Sequence, residues 1–231
     1  MDAPRELEIL SPDECRGLNE TIHALSDRWT RRSPDLPFFT LGSAIYLDAV
    51  AGGAAGYRAL ARSSNPLLAE HFGWLHARLR VRIEEELGEA VFFHEDFALP
   101  GFHVFGFHES YSKLAKIHFD EQYDLVEFGS LGTPSAHLSL TLAVHIPACG
   151  AGLRLWPIFY QDLAGLPPAE RKVKVDSLET AHHPYTPGRC VLHSGHQLHQ
   201  IAPVPGMLPG NERITLQAHA SRVERGWLLY W

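Results

Sequence analysis

Two His-x-Asp triplets in this sequence contain residue types that bind metals: His118-Phe119-Asp120 and His94-Glu95-Asp96. In an extended chain, residues i and i+2 point to the same face and lie about 6–7 Å apart, so one triplet can bind a metal ion from one side. A second histidine on a distant strand would complete a set of two histidines and one carboxylate. Such a set leaves adjacent metal positions open, which suits oxygen chemistry at non-haem Fe(II).

A His-x-Asp triplet alone is weak evidence, because the chain contains 15 histidines. Its surroundings favour the first triplet, since His118 and Asp120 follow a run that is typical of a strand. The other triplet leads directly into Leu99-Pro100-Gly101, a turn sequence, which places Asp96 at the rim of a sheet. We therefore expect the metal ligands to be His118 and Asp120, with His94 and Asp96 as the alternative pair.

Three histidines further along the chain, His193, His196 and His199, are candidates for the remaining ligand. On a helix this spacing would place all three on one face, but Gly195 and Pro203 favour a strand, a tight turn and a second strand. In a strand, His196 and His199 point to opposite faces, so only one of them can share a metal with His118 and Asp120.

An alternating segment follows, in which Arg213, Thr215, Gln217 and His219 share one face of a predicted strand. A guanidinium group with a hydroxyl two residues further on is a good receptor for a carboxylate. A single arginine in a strand is more often an exposed edge residue. The hydroxyl partner and the nearby candidate ligand at His199 favour the receptor.

The elements that must position these residues change in type near residue 90. Before it, a capping box at 11–14 begins a helix that is expected to reach about Trp29, and an apolar stripe predicts a second helix over 67–87 that Gly88 ends. Residues 38–49 resemble one or two strands, and the glycine-rich stretch 52–56 predicts a flexible break. After it, nine short β-like runs recur: 90–93, 102–107, 114–119, 137–146, 153–157, 189–193, 197–201, 213–220 and 227–231.

Many short strands without interleaved helices predict a sandwich, a barrel or a jelly roll. We expect an α+β, mainly β fold that forms a single domain over 1–231, with helical support over about 1–89 and a β core over about 90–231. Within that core, the run 137–146 has large apolar residues at every even position, which must face the interior. Its polar odd positions are either solvent-facing or the lining of a central pocket.

Composition narrows the functional classes. The chain has 231 residues, of which 45% are hydrophobic and 20% charged, and its formal net charge is −7. No block of Lys and Arg favours nucleic acid as a partner. Three cysteines that lie far apart suggest neither a disulfide framework nor a cysteine zinc site. No apolar signal core or convincing membrane span is present, so we expect a soluble, cytoplasmic protein. No pattern indicates an oligomeric state.

Taken in order, His118-x-Asp120, His199 and Arg213-x-Thr215 resemble the motifs of the Fe(II)- and 2-oxoglutarate-dependent oxygenase superfamily. The resemblance covers roughly residues 100–220 and includes a glycine-rich turn at 150–152 that enters a core strand. It implies a double-stranded β-helix, a jelly roll of the cupin type, with His118, Asp120 and His199 as iron ligands. It further implies that Arg213 and Thr215 bind the C5 carboxylate of 2-oxoglutarate.

The resemblance also implies an activity, in which O2 and 2-oxoglutarate are consumed, succinate and CO2 are released, and a C–H bond is hydroxylated. Because Asp120 supplies the carboxylate, hydroxylation is favoured over the halogenation of a related branch. The expected substrate is a small molecule, such as an amino acid or a natural-product intermediate, with a peptide side chain as an alternative. Two other hypotheses stay open: a cupin-like metalloenzyme that does not use 2-oxoglutarate, and a non-enzymatic jelly-roll binding module.

Overall fold

The computed structural model describes residues 3–112 and 116–231, and its N-terminal part contains one strand and one helix. Strand β1 spans Arg5–Glu8, and helix α1 spans Pro12–Ala24. The Ser11 and Glu14 side chains form the predicted capping box, each bonding the other residue's backbone N–H. The helix ends earlier than expected, because a separate 3-10 turn, Ser26–Arg28, follows Leu25.

The long helix α2, Ile45–Leu87, differs most from the prediction. It begins where a strand was expected, because the buried Asp48 carboxylate accepts the Ala44 N–H at 2.8 Å and holds the first turn. The flexible break predicted over 52–56 is wrong, since only Gly53 leaves helical geometry, with φ 67° and ψ 177°. Gly88 ends the helix at φ 68°, as predicted.

Twelve strands in the described residues form two sheets, and every pairing except that of β4 with β12 is antiparallel. The larger sheet has the order β1-β9-β6-β11-β5-β3-β2, with β12 beside β11 and β4 beside β12, and the smaller sheet has the order β10-β7-β8. The remaining strands are β2 (Thr30–Arg31), β3 (Phe38–Leu41), β4 (Val91–Phe92), β5 (Gly101–Gly106), β6 (Ala136–His145), β7 (Gly152–Phe159), β8 (Ala181–Pro184), β9 (Arg189–Ser194), β10 (Gln197–Ile201), β11 (Glu212–Val223) and β12 (Gly226–Tyr230).

The two faces of the larger sheet have different roles. Leu140 and Leu142 of β6 pack in the main core with Leu18 of α1 and Phe72 of α2. On the other face of β6, Ser139 and Thr141 line a cavity instead. The prediction of a β core supported by N-terminal helices is confirmed, and two polar residues of β6 line a pocket.

Some elements were missed or misjudged. Strands β1, β2 and β8 were not predicted, and neither were the helices α3 (Tyr160–Leu163) and α4 (Pro168–Asp176), which lie between β7 and β8. The strand predicted over 114–119 partly falls outside the described residues. Its remainder is not a strand, since only His118 forms a single antiparallel bridge, to His199. Every helix in the described ranges is too short or too polar to serve as a membrane span.

Candidate active site

A cavity of about 590 Å³ receives side chains from both sheets. Polar residues of β6, β9, β10 and β11 line one part of it. Aromatic residues from α2, β3 and β5, including Tyr46, Phe38 and Phe105, line another part. The cavity therefore has both polar and apolar lining residues.

His118, Asp120 and His199 meet at this cavity. One ligand atom from each residue lies within 4.8 Å of the other two, and no other group of this kind is found in the described residues. The Nε2 atoms of His118 and His199 lie 3.7 Å and 3.4 Å from the nearer Asp120 carboxylate oxygen. The backbone sets this arrangement, because His118 and His199 pair directly and the Asp120 N–H donates to the Gly195 carbonyl at 2.8 Å.

The tautomers of both histidines follow from their backbone contacts. Nδ1 of His118 donates to the Lys116 carbonyl at 2.8 Å, and Nδ1 of His199 donates to the Gln197 carbonyl at 2.8 Å. In its neutral form each ring therefore carries its proton on Nδ1 and its lone pair on Nε2, on the side of Asp120. A hydrogen bond from the other ring nitrogen is the usual device that orients a metal-binding imidazole.

Ser139 also holds the carboxylate, because its hydroxyl donates to Asp120 Oδ2, the oxygen nearer to His199. The close approach depends on Gly195, where an added Cβ would lie 3.3 Å from both the Asp120 Cβ and the Ser139 hydroxyl oxygen. Two further imidazoles flank Ser139 across the sheet, His193 on β9 and His219 on β11. The Gln122 amide N–H donates to Nδ1 of His219 at 2.6 Å.

Burial and charge pairing set the protonation of these groups. Burial lowers the pKa of His193 to about 3 and that of His219 to about 4, so both rings are neutral at neutral pH. Burial and the neighbouring His199 ring lower the pKa of His118. Burial opposes the charges of Asp120 and His199, but their mutual attraction outweighs it. The pKa of Asp120 therefore lies well below its usual range and that of His199 is raised.

Arg213 and Thr215 lie on β11, beside cavity-lining residues. Arg213 is 6% exposed, and its guanidinium carbon lies 4.2 Å from the ring centroid of Phe105, which lines the cavity. The Thr215 hydroxyl oxygen accepts a hydrogen bond from the Gln217 amide at 3.0 Å, so the hydroxyl proton is free for another acceptor. The chain thus places a buried cation and a hydroxyl group on one strand, next to residues that line the cavity.

The alternative candidates lie elsewhere. His94 and Asp96 form an isolated turn pair at 3.9 Å, and the described residues supply no third ligand to it. His196 bonds the Tyr123 hydroxyl through Nε2 at 2.7 Å and is not part of the triad. Sequence reasoning assigned no role to Ser139 or Gln122, because their contacts depend on the register between distant segments. The only available signal was the polar face of the run 137–146.

No protein-family model matches this sequence, and no curated protein matches it. Solved structures do match. An N-substituted L-amino acid dioxygenase from Burkholderia ambifaria AMMD, in complex with alpha-KG, has a TM-score of 0.61 and 14% identity over 99% of this chain and 86% of its own. This chain has the fold of the Fe(II)- and 2-oxoglutarate-dependent oxygenases. The fold implied by the sequence resemblance is therefore confirmed.

Two other proteins of similar structure are described as enzymes that catalyse different reactions. The non-heme alpha ketoglutarate dependent epimerase SnoN of nogalamycin biosynthesis has a TM-score of 0.51 and 16% identity, over 96% of this chain and 80% of its own. The carbocyclase SnoK of the same biosynthesis has a TM-score of 0.51 and 11% identity, over 97% and 83%. The fold is therefore compatible with more than one reaction.

The donor set of the triad fits an Fe(II) ion. Two imidazoles with backbone-anchored Nδ1 atoms and one ionised carboxylate converge at a cavity wall, where a metal would keep open positions. The donors are nitrogen and oxygen atoms, which suit Fe(II) better than the thiolates that soft metals prefer.

Proposed function

We propose that this protein is an Fe(II)- and 2-oxoglutarate-dependent oxygenase that hydroxylates a C–H bond of a small molecule and releases succinate and CO2. The observation that carries the proposal is the convergence of His118, Asp120 and His199 within 4.8 Å at the cavity. Iron held by these residues would supply the activation of O2.

Each residue of the site has a defined task in this proposal. His118 and His199 would bind the metal as neutral rings through Nε2, because their backbone hydrogen bonds keep the ring proton on Nδ1. Asp120 would supply the negative charge, and the Ser139 hydroxyl would hold one carboxylate oxygen in place. Such supporting contacts fix the orientation of a ligand before the metal binds.

The tasks of Arg213 and Thr215 concern the co-substrate. The planar guanidinium group of Arg213 would pair with the C5 carboxylate of 2-oxoglutarate, and the Thr215 hydroxyl would donate to the same group. Burial of Arg213 favours this pairing, since a charge pair is stronger where water is excluded. The aromatic side of the cavity, with Phe38 and Tyr46, would receive the apolar part of the substrate.

The comparisons support a small-molecule substrate and indicate which compounds to test first. The Burkholderia dioxygenase acts on N-substituted L-amino acids, and SnoN and SnoK belong to the biosynthesis of nogalamycin. We therefore choose N-substituted L-amino acids as the first substrate set.

Succinate release from 2-oxoglutarate, measured with Fe(II) and each candidate compound, tests the proposed function. We expect a true substrate to stimulate succinate release, with one hydroxylated product formed for each succinate released. A cupin-like enzyme that does not use 2-oxoglutarate would convert its substrate without succinate. A binding module would produce neither product.

A further inference from the structure

His193 is a buried imidazole beside the triad that the proposed function does not use. Its ring centroid lies 4.7 Å from that of His199, and its side chain lines the cavity while being 2% exposed. On the sheet it lies directly opposite Ser139, the residue that holds Asp120. His193 is therefore at the level of the metal-binding group.

The protonation of the His193 ring follows from one contact. Its Nδ1 donates to the Ser194 carbonyl at 3.0 Å, so in the neutral ring Nε2 carries a lone pair. Among the described residues, no donor is paired with this Nε2. In the described part of the chain, the fully buried side-chain atoms without a hydrogen-bond partner include Nε2 of His219 but not Nε2 of His193, and the His193 side chain lines the cavity. His193 thus offers the cavity a hydrogen-bond acceptor.

Two other tasks for this atom are excluded by its chemistry and position. The carboxylate oxygens of 2-oxoglutarate are acceptors, and an unprotonated Nε2 cannot donate to them. The group of ligand atoms that lie within 4.8 Å of one another contains His118, Asp120 and His199 but not His193. The natural partner of Nε2 is therefore an O–H or N–H group.

We propose that His193 accepts a hydrogen bond from the substrate, and that the substrate carries a hydroxyl or amine group attached to an apolar ring or chain. This inference rests on the proposed function and names its substrate class. The apolar part follows from the rest of the cavity. Phe38 and Phe105 stack at 4.4 Å along one wall, and Val50 and Leu125 line the cavity although they are 71% and 36% exposed. An apolar surface thus runs from the mouth of the cavity to its interior.

The test uses a matched pair of probes, 3-phenylpropan-1-ol and (3-fluoropropyl)benzene. They have similar shape, but fluorine cannot donate a hydrogen bond. Both are titrated into protein labelled with 15N at histidine and loaded with Zn(II) and 2-oxoglutarate, so that the sample is diamagnetic and the co-substrate site is filled. A parallel titration uses the metal-free protein. Comparison with His193→Gln assigns the His193 signals.

We expect His193 to be protonated at Nδ1, and its Nε2 signal to shift saturably with the alcohol and not with the fluoride. The alcohol should bind about five- to tenfold more tightly than the fluoride, since one neutral hydrogen bond distinguishes them. His193→Phe should abolish this preference, whereas His196→Phe should retain it, because His196 bonds Tyr123 outside the cavity lining.

Three results would overturn the inference: a proton on Nε2, equal affinities for the two probes in the wild type, or a Zn(II) affinity that falls tenfold or more in His193→Phe. If His193→Phe does not fold, the 15N signals of His193 in the wild type still test the inference. Failure of the proposed function is distinguishable, since it would appear as the absence of any complex between Fe(II)-loaded protein and 2-oxoglutarate. The titration of the metal-free protein would still report on His193.

Discussion

His118 and His199 are joined by two backbone hydrogen bonds, in which each N–H donates to the other residue's carbonyl at 3.0 Å. Residues paired in this way in an antiparallel ladder have Cα atoms about 5.5 Å apart and side chains on the same face. The separation of the two imidazoles is therefore set by the main chain, and a metal does not have to draw them together. This pairing explains why the segment around His118 needs no strand of its own to position a ligand.

The two downstream histidines should behave differently when they are removed. We expect His199→Ala to abolish turnover and to weaken Fe(II) binding strongly, because one of three ligands is lost. His196→Ala should leave Fe(II) affinity within about twofold, because His196 contacts Tyr123 and not the triad. Anaerobic Fe(II) titration of both variants is the measurement. Loss of iron in His196→Ala with retention in His199→Ala would mean that the ligand assignment is wrong.

The two His-x-Asp triplets provide a second matched pair. Asp120→Ala should abolish hydroxylation and weaken iron, because the site loses a ligand and its negative charge. Asp96→Ala should do neither, since Asp96 is 49% exposed in a turn. Single-turnover succinate assays and iron titrations compare them. An active Asp120→Ala beside an inactive Asp96→Ala would reverse the assignment.

Ser139 should strengthen Fe(II) binding through its hydrogen bond to Asp120, without being a ligand itself. Removing the hydroxyl that donates to Asp120 leaves the carboxylate free to rotate, so Ser139→Ala should weaken Fe(II) binding by about tenfold. Ser135→Ala is the control, because the Ser135 hydroxyl bonds only the Arg222 carbonyl at the surface. Equal Fe(II) affinities for the wild type and Ser139→Ala would show that this hydrogen bond does not support the metal ligand.

His76 should make the protein less stable in acid. Burial lowers its pKa from 6.5 to about 4, although a hydrogen bond to the Pro100 carbonyl at 2.8 Å partly opposes the shift. The unfolded chain therefore binds a proton at a higher pH than the folded chain. The contribution of His76 to the free energy of unfolding is therefore greatest above pH 6.5. It decreases by about 1.4 kcal/mol per pH unit as the pH falls toward 4.

Urea unfolding of the wild type and His76→Leu between pH 8 and pH 4.5 measures this contribution. The variant should be less stable at pH 8, and its free energy of unfolding should fall less steeply as the pH decreases. Parallel curves for the two proteins would contradict the assignment of this proton to His76.

Local sequence patterns predicted two strands of the core well. The strand β10 has the predicted bounds, Gln197–Ile201, and the alternation of β6 correctly separated its core face from its polar face. The region 45–64 was misjudged because its glycines have turn composition. Tertiary packing outweighs that propensity, since Ile45, Tyr57 and Ala61 are buried on one side of the helix.

Some residues of the candidate site could be predicted from the sequence, and others could not. Residue types and spacing favoured His118 and Asp120 and left His196 and His199 as alternatives for the other ligand. The family resemblance implied His199, and the structure brings His118, Asp120 and His199 together. The contacts of Ser139 and Gln122 could not be predicted, because they depend on how β6, β11 and a 3-10 turn align over long distances in sequence. That alignment is a property of the folded sheet and not of any local pattern.

Anaerobic titration of 2-oxoglutarate into the Fe(II)-loaded protein tests the central claim most directly. Chelation of 2-oxoglutarate by the iron produces a visible charge-transfer band, and a cupin that does not use 2-oxoglutarate gives none. We expect a saturable band in the wild type and at least hundredfold weaker 2-oxoglutarate binding in Arg213→Ala, because a buried carboxylate would lose its charge partner. Iron binding should survive in that variant, and Arg222→Ala, at an exposed position of the same strand, should match the wild type. An iron-loaded wild type that shows no band, or an Arg213→Ala variant with unchanged 2-oxoglutarate affinity, would contradict the account.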